Sequence, residues 1–165
     1  MPDRRAADPT LPKPAAADSR GGTEPFWRRK ALADMTAGEW ESLCDGCGKC
    51  CLEKLECGRS GEISYTNVAC QLLDLDTCRC RHYADRRRWV SNCEKLTPAK
   101  VRRLPWLPTT CAYRLRAQGR DLPGWHWLVS GDRELVHVVG ASVRGRAVAA
   151  ADAGPLDHHI CIWPR

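Results

Sequence analysis

The tightest constraint on this chain is the run Cys44-Asp45-Gly46-Cys47-Gly48-Lys49-Cys50-Cys51, four cysteines within eight residues. Two cysteines two residues apart can turn both sulfurs onto one ion, and glycine beside the second lets backbone amides face the thiolates. Adding Cys50 extends the series to C-x2-C-x2-C, the opening of a bacterial ferredoxin run, but the x3-C-P continuation is absent. Cys51 follows at once instead. Adjacent side chains diverge, so the sulfurs of Cys50 and Cys51 are suited to different ions.

Seven more cysteines follow, at 57, 70, 78, 80, 93, 111 and 161, making eleven beside one phenylalanine and two methionines. A chain of 165 residues builds one modest core, and this one is short of apolar bulk, so it needs a staple. The compartment decides which kind. The first 25 residues contain Arg4-Arg5 but no continuous apolar core of a secretion signal, and no stretch of about 18 apolar residues would span a bilayer. We therefore expect a cytoplasmic protein without membrane association. There thiols stay reduced, and an odd number of closely spaced cysteines reads as metal ligands before disulfides.

The composition shifts at residue 25. Residues 1–24, with Pro2, Pro9, Pro12 and Pro14, are expected to be a disordered tail; residues 25–165 form the cysteine-cluster domain. Thr36 and Glu39 have capping-box spacing and open a short helix that carries Trp40 and Leu43 and delivers Cys44. Residues 62–66 alternate as a strand, Leu72, Leu73 and Leu75 supply core contacts, and residues 83–89 read as a helix. Thr97-Pro98 opens a helix ended by Pro105. A further helix over 110–118 places Cys111 in its first turn and Gly119 as a left-handed cap. Residues 135–139 and 141–143 are expected to be strands, and 152–165 has no clear period. The predicted class is α+β: a small, irregular, metal-stabilised domain, mainly short helices with a few short strands.

The net charge of +6 raises nucleic acid as a partner. Twenty of the 26 basic residues are arginine, and Arg86-Arg87-Arg88 and Arg28-Arg29-Lys30 read as solvated helix faces first. The tryptophans Trp106, Trp125 and Trp127 cover a small core before they stack bases. His82, His126, His137, His158 and His159 are each weak ligand candidates, although His82 lies two residues after Cys80. No nucleophile elbow, phosphate loop, H-E-x-x-H or dinucleotide fingerprint is present.

Cys44-x2-Cys47-x2-Cys50-Cys51, Gly61-Glu62-Ile63, Thr66-Asn67-Val68-Ala69-Cys70 and Thr77-Cys78-Arg79-Cys80 together resemble the bacterial YcgN family of cysteine-cluster proteins. The similarity continues through Cys93-Glu94-Lys95-Leu96-Thr97-Pro98 and Trp106-Leu107-Pro108, then Thr110-Cys111-Ala112-Tyr113-Arg114, Leu128-Val129-Ser130-Gly131-Asp132 and Ser142-Val143-Arg144-Gly145-Arg146. The family belongs to a broader CxxCxxCC group described as zinc- or iron-chelating and largely uncharacterised. The resemblance implies metal ligation by Cys44, Cys47, Cys50, Cys51, Cys70, Cys78, Cys80, Cys93 and Cys111. Cys57 and Cys161 depart from the pattern; Cys161 reads as a buried small hydrophobe. The expected function is a metal-binding protein holding zinc or iron, with two alternatives: an iron-sulfur redox protein or enzyme, and a zinc-stabilised nucleic-acid-binding module.

Overall fold

The computed structural model describes residues 24–164. The expected tail therefore lies, apart from Glu24, outside the described residues. Short helices dominate: α1 (Phe26–Arg29), α2 (Ala37–Ser42), α3 (Arg86–Trp89), α4 (Pro98–Val101), α5 (Ala112–Ala117), α6 (Trp127–Ser130) and α7 (Leu135–Val138), with 3-10 turns between them. They surround one small mixed sheet of β1 (Leu52–Glu56), β2 (Ile63–Ala69) and β3 (Val148–Ala149) in that spatial order. β1 and β2 form an antiparallel hairpin and β3 joins β2 in parallel. The architecture is the α+β class expected. No helix among the described residues is long and apolar enough to cross a membrane.

Local chemistry starts several elements as anticipated. The Thr36 hydroxyl accepts from the Glu39 amide while the Glu39 carboxylate accepts from the Thr36 amide, closing the capping box of α2. Thr97 caps α4 with Pro98 inside its first turn. Gly119 follows α5 with φ +70°, the left-handed backbone that glycine adopts at least cost. α4 is a single turn that ends at Val101, before Pro105. Cys111 is the N-cap of α5 and lies ahead of the first turn.

Two expected strands are absent. Residues 135–138 form one helical turn, because only Val136 is deeply buried and Val138 faces solvent; so short a stretch does not separate period 2 from period 3.6. Residues 141–143 lie against the cysteine loop, the Val143 amide donating to the Cys47 carbonyl at 2.9 Å. β1 was not anticipated: its Leu-Glu-Lys-Leu-Glu sequence has no strand preference, and pairing with β2 across the Cys57–Gly61 turn imposes it.

Three small apolar clusters hold the domain. Leu43, Val101, Leu107, Ala112, Tyr113 and Leu122 pack between α2, α4 and α5. Leu52, Ala69, Leu73, Cys78, Val143 and Trp163 cover the sheet. Cys47, Val136 and Ala141 form a third, smaller cluster. The clusters meet at the cysteine loop, where Cys44 borders the first, Cys47 belongs to the third and Cys51 borders the second.

Candidate metal centre

Residues 45–49 are buried, an unusual place for a loop carrying Asp45 and Lys49. Gly46 and Gly48 adopt φ +77° and +75°, which turns the chain twice. A side chain at Gly48 would meet Val143 Cγ2 at 2.7 Å, so the loop sits flush on the sheet cluster. The Asp45 carboxylate accepts from the Cys47 amide at 3.0 Å. Arg79 lies over Gly46, with its guanidinium carbon 3.1 Å from where a Cβ would stand. Its approach follows from the turn at Cys78, whose φ of +55° is a backbone state that non-glycine residues rarely adopt.

The loop is anchored from above by α2. The carbonyls of Trp40, Ser42 and Leu43 accept from Tyr113 Oη at 3.0 Å, Trp127 Nε1 at 2.9 Å and His126 Nε2 at 3.0 Å. His126 is fully buried. Its Nδ1 accepts from the Leu128 amide at 3.1 Å, so the ring proton is on Nε2 and the imidazole is neutral. From below, the buried Lys49 ammonium donates to Thr110 Oγ1 at 3.1 Å and to the Pro164 carbonyl at 2.9 Å, tying the loop to the residue before Cys111. Tyr65 Oη donates to the Trp106 carbonyl and steadies the same segment.

This framework sets Cys44, Cys47, Cys50 and Cys111 within electrostatic reach of one another, short of coordinating distance. Burial pushes the Cys44 and Cys111 thiols up to about 12, and the charges that Asp45 and Cys50 would carry press the same way. Burial also pushes the Cys47 thiol well up, with Asp45, Cys50 and Cys44 as its anionic neighbours. Cys50 lies on the exposed rim, and its thiol is raised foremost by hydrogen bonding to Cys51, the two sulfurs 3.9 Å apart. Opposing these effects, the amides of Gly46, Lys49 and Arg114 favour the thiolates of Cys44, Cys47 and Cys111. Arg79 adds positive charge beside Cys44. Burial lowers the pKa of Lys49, while Cys47, Asp45 and Cys111 sustain its charge.

The other predicted ligands fall elsewhere. Cys51 keeps its sulfur 3.9 Å from that of Cys50 and packs beside the sheet cluster, while its carbonyl accepts from the Cys70 amide at 2.8 Å at the open end of the hairpin. Cys80 and Cys93 lie close enough to Cys70 to affect its ionisation. Cys78 lies 4% exposed in the sheet cluster, against Gly48 of the loop, with Arg144 and Arg79 as its charged neighbours. Cys57 is exposed in the hairpin turn, and Cys161 packs beside the sheet cluster. His82 stacks on Trp89 at 4.5 Å and faces Asp85.

Among the described residues, no three Cys, His, Asp or Glu side chains converge to coordinating distance. The donor chemistry nonetheless fits zinc or iron: clustered sulfurs, amides aimed at them, and the cations Lys49 and Arg79 beside a centre that would carry net negative charge. Sequence reasoning missed these supporting groups. A lysine inside the cysteine run was the available signal for one of them.

Residues 43–112 match the CxxCxxCC family, described as a "Putative zinc- or iron-chelating domain". The chain is 57% identical over 142 residues to a UPF0260 protein of Gluconacetobacter diazotrophicus, covering 86% of this chain and 89% of the relative. The chain belongs to the UPF0260 family. A UPF0260 protein of Granulibacter bethesdensis is 56% identical over 140 residues, covering 85% of this chain and 84% of its own length. One of Rhizobium meliloti is 54% identical over 145 residues, covering 87% and 94%. No solved structure matches the chain. The segment matching CxxCxxCC spans Cys44 to Cys111 of this UPF0260 chain but stops short of Tyr113, His126 and Trp127, which hold α2 above the loop.

Proposed function

We propose that this chain is a metal-binding protein that holds zinc or iron on cysteine thiolates, with Cys44, Cys47, Cys50 and Cys111 as its principal centre. One observation carries the reading. Cys44, Cys47 and Cys111, from two distant segments, are thiols whose burial resists ionisation, and each lies beside a backbone amide that favours its anion, with Lys49 and Arg79 as the nearby cations. Such thiols ionise readily only when a metal cation supplies the compensating charge. Bound zinc would supply structural cross-linking, whereas iron would add redox chemistry.

The protein's own groups have definable tasks. Lys49 and Arg79 offset negative charge, and the amides of Gly46, Lys49 and Arg114 orient the sulfurs. Tyr113, His126 and Trp127 fix the loop's approach. The C-x2-C-x2-C spacing of Cys44, Cys47 and Cys50 also supports an iron-sulfur cluster. Iron, zinc and acid-labile sulfide analysis of anaerobically purified protein separates these forms. Cys47→Ser is expected to lower both the metal content and the melting temperature; unchanged values for both would refute the assignment.

A further inference from the structure

We propose that the basic surface formed by α3, α4 and α5 binds single-stranded nucleic acid, its arginines holding phosphates while a base stacks on Trp89. Charge is strongly segregated along this chain. Residues 81–120 hold eleven of its 26 basic residues but two of its 20 acidic ones. That segment therefore carries +9 and the remainder of the chain −3, which together give the net +6. A general preference for arginine would spread positive charge evenly and does not account for an acidic remainder. Nine of the eleven cations are arginine, whose planar fork pairs with phosphate oxygens two at a time.

The fold keeps these cations adjacent. Arg86, Arg87, Arg88 and Lys95 line a cleft of about 270 Å³, with Asp85 as its one acid. Arg102, Arg103 and Arg114 line a second cleft of about 500 Å³ between α4 and α5, which has no acid. Glu94 joins the two, because it pairs with Lys100 of α4 and its carboxyl is held down by Lys100 and also by Arg87 of α3. Among the described residues, the side chains of Arg87, Arg88, Lys95, Arg102 and Arg103 are exposed and make no ion pair or hydrogen bond. Arg28, Lys30, Arg81 and Arg144, by contrast, each face a carboxylate. Two cation-lined clefts joined by a cationic ridge suit a polymer of regularly spaced anions better than one small anion.

The apolar groups on this surface identify the polymer. Trp89 is 56% exposed although His82 stacks against it at 4.5 Å, so an aromatic ring braced by a neighbour is presented to solvent. Unpaired bases stack on such rings whatever their sequence. In the larger cleft Leu104, Pro105 and Ala117 lie beside the arginines and offer a surface to a base or sugar. An acidic peptide would use the cations but leave Trp89 without a role. A duplex fits less well, because no helix among the described residues exceeds six residues, too short to lie along a major groove. The β1–β2 hairpin is the one element shaped for such a groove, and it carries Glu53, Glu56 and Glu62.

Fluorescence anisotropy of the full chain with labelled oligothymidylate and oligouridylate of about 16 nucleotides, at rising salt, tests the proposal. At least one strand should bind at low salt, with log K falling against log salt by about 0.7 for each phosphate neutralised. Arg102→Ala combined with Arg103→Ala should reduce that slope by about 1.4, and Arg87→Ala combined with Arg88→Ala by a similar amount. The slope does not depend on the fraction of protein that is folded, so a folding defect does not mimic this result. Trp89→Ala should weaken binding about tenfold with the slope unchanged, and Trp89→Phe should keep most of the affinity. Arg59→Ala removes a charge from the hairpin turn instead and should leave slope and affinity as in wild type. No binding of either strand at low salt, tighter binding of a duplex or of polyglutamate, or a slope lowered as much by Arg59→Ala as by the arginine pairs would overturn the proposal.

Discussion

Replacing Gly48 with alanine tests the seating of the cysteine loop. Gly48 has φ +75°, and a Cβ there would stand 2.7 Å from Val143 Cγ2 and 3.4 Å from Cys78 Cβ. The left-handed backbone costs a non-glycine residue about 1 kcal/mol. Forcing a methyl into a packed core adds about 2 kcal/mol. Gly131 supplies the control: its φ is +77°, but nothing lies within 4 Å of its Cβ position, so Gly131→Ala carries the backbone cost alone. For a chain of this size, each kcal/mol moves the melting temperature by about 3 °C. Melting at fixed zinc concentration should therefore fall by about 3 °C for Gly131→Ala and about 9 °C for Gly48→Ala. Adding Val143→Ala to Gly48→Ala should recover part of the loss, because it removes the methyl in the way. Equal effects at the two glycines, or strict additivity with Val143→Ala, would refute the reasoning.

Burial holds the pKa of His126 below 6.5. The unfolded chain therefore takes up a proton first, and stability present above pH 6.5 is lost as the pH falls below it; denaturation at pH 5 and 7.5 should show a smaller difference in His126→Gln than in wild type. Lys49→Met should weaken zinc binding measured by competition with a chelating dye, yet leave the melting of zinc-free protein nearly unchanged, since removing a buried charge offsets the two lost hydrogen bonds. Cys57→Ser and Cys161→Ser should each retain full metal content, and loss of metal in either variant would show that its exclusion was wrong.

What the sequence made legible was local. The capping box at Thr36 and Glu39 and the Thr97-Pro98 start depend on residues a few positions apart, and both stand as read. β1 and the Leu135–Val138 turn were not legible, because one is shaped by its partner strand and the other by which single valine finds the core. Cysteine spacing displayed the supply of thiols but not which of them are buried. Only the fold pairs Cys80 with Leu73 and sets the Cys51 sulfur 3.9 Å from that of Cys50. Lys49 and Arg79 act through burial and through a rare backbone turn, which single-sequence periodicity does not encode.

The three side chains clasping the last carbonyls of α2 impose an order on biogenesis. Tyr113, His126 and Trp127 are made up to 85 residues after the groups they grip. At about 5–20 residues per second, the leading cysteine loop spends several seconds outside the ribosome before its clasp exists. Any metal captured early would meet a loop whose geometry is not yet set, and the clasped loop is a late product, assembled backwards from the carboxy-terminal half of the chain.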